Sequence, residues 1–126
     1  MSGVTYDTGA LISAERDDRR MWALHRQTLE QGIAPTVPAG VLAQAWRGGP
    51  QARMSQLLAG CSIEPLDRTR ARSAGAACGI AGTSDVVDAS IVVGADWRGD
   101  MVVTGDAADL RRLSDALGLD LRLLTV

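Results

Sequence analysis

Apolar and polar residues alternate along the chain in two rhythms. Short runs rich in Val, Ile, Leu and Thr, at residues 4–6, 34–37, 61–66, 101–104 and 119–125, have strand character. Between them apolar residues recur at three- and four-residue spacing, as on helices with one buried face. The spacing predicts helices over 9–15, 39–46, 51–59, 84–97 and 107–117, one opened by Asp17-Asp18 and stopped by Gly32, and one capped by Asp67 and running to residue 78. Residues 86–95 are apolar nearly all round. Their β-branched content favours a strand, but their length, the cap offered by Ser84 or Asp85, and the stop at Gly99 favour a helix.

The predicted order is β-α-α-β-α-α-β-α-α-β-α-β. Strands alternating with helices predict an α/β fold with a parallel sheet covered on both faces. Pro65 near the end of the 61–66 run marks an edge strand. A chain of 126 residues suits a single domain spanning 1–126, and no linker, internal repeat or low-complexity tract is read in it.

Composition sharpens this picture in three ways. Phe is absent, so the core must be built from Leu, Val, Ile and Ala. Cys61 and Cys78 stand without a C-x-x-C pair, which excludes a zinc pattern and predicts free buried thiols. The N-terminal residues lack the basic and apolar regions of a signal peptide, and no apolar run reaches a membrane span, so the expected location is cytoplasmic with no membrane partner.

Charge points to chemistry. Asp88 interrupts the most apolar helix, and an ionised carboxylate there is costly unless it is neutralised. Asp7 ends the first strand run and Asp106 follows the fourth, where open α/β sheets place their ligands. All 13 basic residues are arginine, so no lysine can pair with these groups. A bound cation would satisfy them. Hard oxygen ligands suit Mg²⁺ or Mn²⁺, and such a site suits metal-assisted phosphodiester hydrolysis. With Asp7, Asp85, Asp88 and Asp106 set aside, the remainder of the chain is mildly basic, and an arginine-only surface suits a phosphate polymer.

The stretches Y-D-T-G-A-L-I at 6–12, V-P-A-G-V-L-A-Q at 37–44, D-A-S-I-V-V-G-A at 88–95 and V-V-T-G-D-A-A-D-L at 102–110 resemble the PIN domain, specifically the VapC-type toxins of toxin–antitoxin pairs. The resemblance implies a three-layer α/β/α sandwich and a Mg²⁺- or Mn²⁺-dependent endoribonuclease acting on RNA. It also implies a homodimer and a small cognate antitoxin covering the active-site groove. Asp7, Asp88 and Asp106 match the family's first, third and fourth acidic residues. The second is usually glutamate, and Gln44 stands there. Gln44 brings a carbonyl but no charge, and Asp85, three residues before Asp88, is expected either to compensate as a ligand or to cap its helix.

Arg47 shares a helix face with Gln44 and is the candidate phosphate contact. Thr8 and Thr104 are expected to line the site as backbone partners, with Thr83 in the same role. Asp109, Arg19-Arg20 and Arg111-Arg112 read as solvated surface, and His25 as a packed or surface residue rather than a ligand. Trp22 and Trp46 read as core or dimer contacts. The competing reading is a non-catalytic module that binds a partner or RNA because Gln44 replaces the acid. No G-x-G-x-x-G or phosphate-loop motif follows a strand, which disfavours a nucleotide-binding protein.

Overall fold

The computed structural model describes residues 3–126. Among them the order is β1 (Val4–Tyr6), α1 (Thr8–Glu15), α2 (Arg19–Glu30), β2 (Thr36–Pro38), α3 (Ala39–Ala45), α4 (Ala52–Leu58), β3 (Ser62–Glu64), α5 (Arg68–Ala81), α6 (Val86–Arg98), β4 (Met101–Thr104), α7 (Ala107–Ala116) and β5 (Leu123–Thr125). The strands form one parallel sheet in the order β3-β2-β1-β4-β5. The chain first steps outward from β1 to β2 and β3, then crosses back to β4 and β5. Right-handed crossovers therefore place α1–α4 on one face and α5–α7 on the other. The result is a three-layer α/β/α sandwich.

The core sits on both faces of the central strands. Tyr6, Leu11, Met21, Val37, Val41, Leu57, Val92, Val102 and Val103 are fully buried. With no Phe available, small residues allow close approach instead. A Cβ on Gly40 would stand 3.2 Å from a Val87 methyl, so the starts of α3 and α6 touch beyond the sheet edge. The far end of α6 is fastened by Arg98. Its guanidinium pairs with Glu64 and Asp100 and donates to Thr5 Oγ1 at 2.9 Å, joining β1, β3 and the approach to β4.

His25 is buried, its Nδ1 2.8 Å from the Tyr6 hydroxyl and its ring edge-on to Trp22. Burial lowers its pKa, and it serves packing. Trp22 is half-buried, packs against the core and donates Nε1–H to the Ala14 carbonyl at 2.9 Å. Trp46 is 39% exposed, and Trp97, at 79%, is far more so. Both cysteines are free, and burial pushes the Cys61 thiol up to about 12. Among the described residues no single helix is long and apolar enough to cross a membrane; α5 and α6 pass such a test only as a pair bent by 108°.

Several boundaries differ from the sequence reading. The helix expected to end at residue 78 continues to Ala81, because Gly79 keeps helical geometry and Gly82, at φ 71°, makes the left-handed stop. The strand expected over 119–125 is only Leu123–Thr125. Leu121 is buried without pairing, its carbonyl held by Arg111 Nη1 at 2.8 Å. The 34–37 and 61–66 runs shorten to Thr36–Pro38 and Ser62–Glu64, paired to each other with β3 at the edge.

Candidate functional site

The order β3-β2-β1-β4-β5 reverses direction between β1 and β4, and a crevice opens beyond their C-terminal ends. Three helices begin there, each capped by an aspartate. Asp7 Oδ1 accepts the Ala10 N–H of α1 at 2.9 Å, and the Gly105 N–H at 3.3 Å. Asp85 accepts the Asp88 N–H of α6 at 3.0 Å, and Asp106 accepts the Ala108 N–H of α7 at 3.0 Å. The positive ends of three helix dipoles thus meet at one place, which makes a cluster of carboxylates tolerable.

Two backbones meet at the bottom of the crevice. A Cβ on Gly9 would lie 2.7 Å from Gly105 Cα, and one on Gly105 would lie 2.9 Å from Gly9 Cα. This contact sets the start of α1 against the β4–α7 loop, and so sets Asp7 beside Asp106.

An open groove of about 540 Å³ follows, lined by Asp7, Asp88, Asp106 and Asp109 together with Arg16. Gly9, Ile12, Ser13 and Arg16, at i, i+3, i+4 and i+7 of α1, form its wall. A smaller recess of about 190 Å³ adjoins it. Asp88 and Asp109 line both, with Thr83, Asp85 and Arg112 completing the recess.

The three carboxylates expected from the sequence therefore line one groove. Asp109, expected as solvated surface, lines it too. Asp85 is exposed and acts as the α6 cap, on the recess side. Gln44 does not line the groove; its Oε1 accepts the Thr8 hydroxyl at 2.7 Å. Arg47 is turned back onto its own helix end, donating to the Trp46 carbonyl at 2.8 Å and the Ala43 carbonyl at 3.3 Å. The basic group on the groove is instead Arg16. Thr104 is buried, and its hydroxyl accepts the Asp106 N–H at 3.0 Å.

Electrostatics single out two of these groups. Burial raises the Asp7 carboxyl, while the Thr104 hydroxyl and the N–H groups of Ala10, Gly105 and Gly9 pull it down. Asp88 is raised to about 6 by burial first, then by the negative charges of Asp85, Asp109 and Asp7. An unfolded Asp titrates near 3.9. The folded protein therefore binds the extra proton, and its Asp88 contribution is full below the unfolded value and lost as pH rises through about 6. In EDTA, the Tm of Asp88→Asn is expected to exceed that of the wild type by a margin that widens from pH 4 to pH 7. A constant margin across that range would contradict the assignment.

Hard carboxylate oxygens that repel one another fit a small divalent cation. Among the described residues no three acidic, Cys or His side chains are gathered tightly enough to enclose an ion as they stand. Mg²⁺ does not need a closed cage. It keeps several waters and is held through one or two carboxylates plus substrate phosphate.

Fold and groove together define a PIN-like α/β/α sandwich with an acidic crevice at its switch point. Solved structures share this fold, two complexes with DNA among them. A Rickettsia felis VapBC2 complex bound to a promoter DNA fragment superposes with a TM-score of 0.71 at 14% identity, covering 98% of each chain. FitAB bound to an IR36 DNA fragment superposes with a TM-score of 0.63 at 20% identity, covering 97% of this chain and 94% of that one. No protein-family model matches the chain, and no curated protein matches it. The sequence resemblance to VapC-type toxins is thereby corrected as a statement of membership. The four short motifs do not place the chain in that family, and the likeness to these structures is one of fold.

Proposed function

We propose that the chain is a divalent-cation-dependent endoribonuclease, the toxic member of a toxin–antitoxin pair. The observation that carries this reading is the convergence of Asp7, Asp88 and Asp106 on one groove at the β1–β4 switch point. Asp88 and Asp106 offer oxygens to Mg²⁺ or Mn²⁺ from two helix starts, and Asp7 offers its oxygen from the end of β1. Bound there, the cation would activate a water nucleophile and stabilise the departing oxygen. Arg16, at the rim, can grip a phosphodiester through two parallel N–H groups. The helix N-termini temper the negative charge that would otherwise repel an RNA backbone. A small antitoxin protein and a homodimer accompany this reading; the fold likeness to the VapBC2 and FitAB complexes supports the antitoxin.

The test is incubation of the purified chain with mixed-sequence single-stranded RNA in Mn²⁺ or in EDTA. Cleavage in Mn²⁺ alone is expected, with products free of 2′,3′-cyclic phosphate, because water rather than the ribose hydroxyl attacks. Retained RNA binding without cleavage would instead support a non-catalytic module, the reading favoured by the uncharged Gln44 outside the groove.

A further inference from the structure

The starts of α6 and α7 repeat one six-residue pattern, Thr83-Ser84-Asp85-Val86-Val87-Asp88 and Thr104-Gly105-Asp106-Ala107-Ala108-Asp109. The repetition is structural as well. In both, the first aspartate caps the helix, and in both, the threonine hydroxyl accepts the N–H of that capping residue, at 3.2 Å from Asp85 and 3.0 Å from Asp106. In a capping box the side chain three residues after the cap, commonly Glu or Gln, folds back to take that N–H. Here the N–H is already satisfied. Asp88 and Asp109 are released from capping and line the same two recesses. What separates them is pairing. Arg112 Nη1 lies 3.1 Å from Asp109 Oδ1, one turn along α7 and exposed, and lines the smaller recess.

We propose that Asp109 acts with Asp88 on the bound Mg²⁺ or Mn²⁺, and that Arg112 holds Asp109 in the cation-free protein and releases it when the cation enters. This rests on the function proposed above. An exposed pair of this kind is worth little, so its release is a small obstacle to binding. Arg112 thereby serves as a removable counter-ion: the groove keeps a fourth carboxylate close without four uncompensated charges.

The test is calorimetric titration of the whole chain with Mn²⁺ at low ionic strength, for wild type, Asp109→Asn, Arg112→Ala, the double variant, Asp88→Asn and Asp115→Asn. Asp115 also lies on α7 but lines neither recess. Asp109→Asn is expected to weaken Mn²⁺ binding by about 10-fold, as losses around a metal site commonly do. Arg112→Ala is expected to tighten it by about twofold, the size of an exposed ion pair. Asp115→Asn is expected to match wild type. The double variant discriminates further. If Arg112 acts through Asp109, removing it in the Asp109→Asn background changes nothing; if it acts only as a distant positive charge, the twofold gain persists and that part of the inference is overturned. Asp109→Asn binding like wild type while Asp88→Asn does not bind would overturn the role of Asp109 and leave the proposed function standing. A wild-type chain that does not bind Mn²⁺ would overturn both.

Discussion

Asp88→Asn is expected to lower RNA cleavage by about 10²–10³-fold, the cost typical of losing one electrostatic contributor to a transition state. The same substitution is expected to raise the Tm of the cation-free protein at pH 7. Both effects have one cause. Asp88 is half-buried beside Asp85, Asp109 and Asp7, and its charge is unfavourable until something positive arrives. Its backbone N–H, which the Asp85 cap uses, survives the change. Asn is nearly isosteric, so packing survives as well. Thermal melting in EDTA, alongside a cleavage assay in Mn²⁺, checks the pair. A loss of activity accompanied by a loss of stability would mean that Asp88 is structural. Asp7 makes a useful contrast, because Asn can still accept from Ala10 and Gly105, whereas Asp7→Ala also removes the α1 cap, at about 0.5–2 kcal/mol.

Gly105→Ala is expected to destabilise the fold by about 1–3 kcal/mol, the range for overpacking a tight contact. Its new Cβ would meet backbone, 2.9 Å from Gly9 Cα, where no side chain can rotate away. Relief requires α1 to part from the β4–α7 loop, which carries Asp7 away from Asp106. Mn²⁺ affinity should therefore fall together with Tm. Gly79→Ala provides the opposite control. Gly79 lies in α5 with nothing within 4 Å of its Cβ position, so alanine should stabilise the protein through helix propensity, by about 0.5–1 kcal/mol. Equal Tm values for Gly105→Ala and wild type would show that the crossing yields easily and does not hold the site together.

The order of elements was legible in the sequence because its punctuation is chemical. Asp18 and Asp67 cap helices where capping residues were expected, Gly99 stops α6, and Pro65 follows an edge strand. Strand lengths were not legible, because a buried residue and a paired one look alike in sequence. Leu121 is buried by packing while its carbonyl bonds an arginine. The groove was legible through Asp7, Asp88 and Asp106, each at the start of a helix bordering the switch point. Gln44 was placed by the family resemblance, and Arg47 by helical spacing from it. Spacing gives the side of a helix but not the hydrogen bonds that hold these residues on Thr8 and on the end of α3. Asp109 and Arg16 carried signals that went unread. The first lies in the repeated six-residue pattern, and the second completes the i, i+3, i+4, i+7 face that begins at Gly9.

Thr83 and Thr104 have a consequence for any attempt to make this protein more robust. Two helix starts that could each close a reciprocal cap use a threonine hydroxyl instead and leave an aspartate idle at the very place where the groove opens. With either threonine replaced by valine, the N–H of the capping aspartate loses its acceptor and the idle aspartate is free to fold back onto its helix. The chain would lose a carboxylate from the groove without gaining a hydrogen bond, and at Thr104 the Asp106 carbonyl would lose its donor as well. The supply of carboxylates to the groove therefore hangs on these two hydroxyls, and a library screened for stability should hold both threonines fixed.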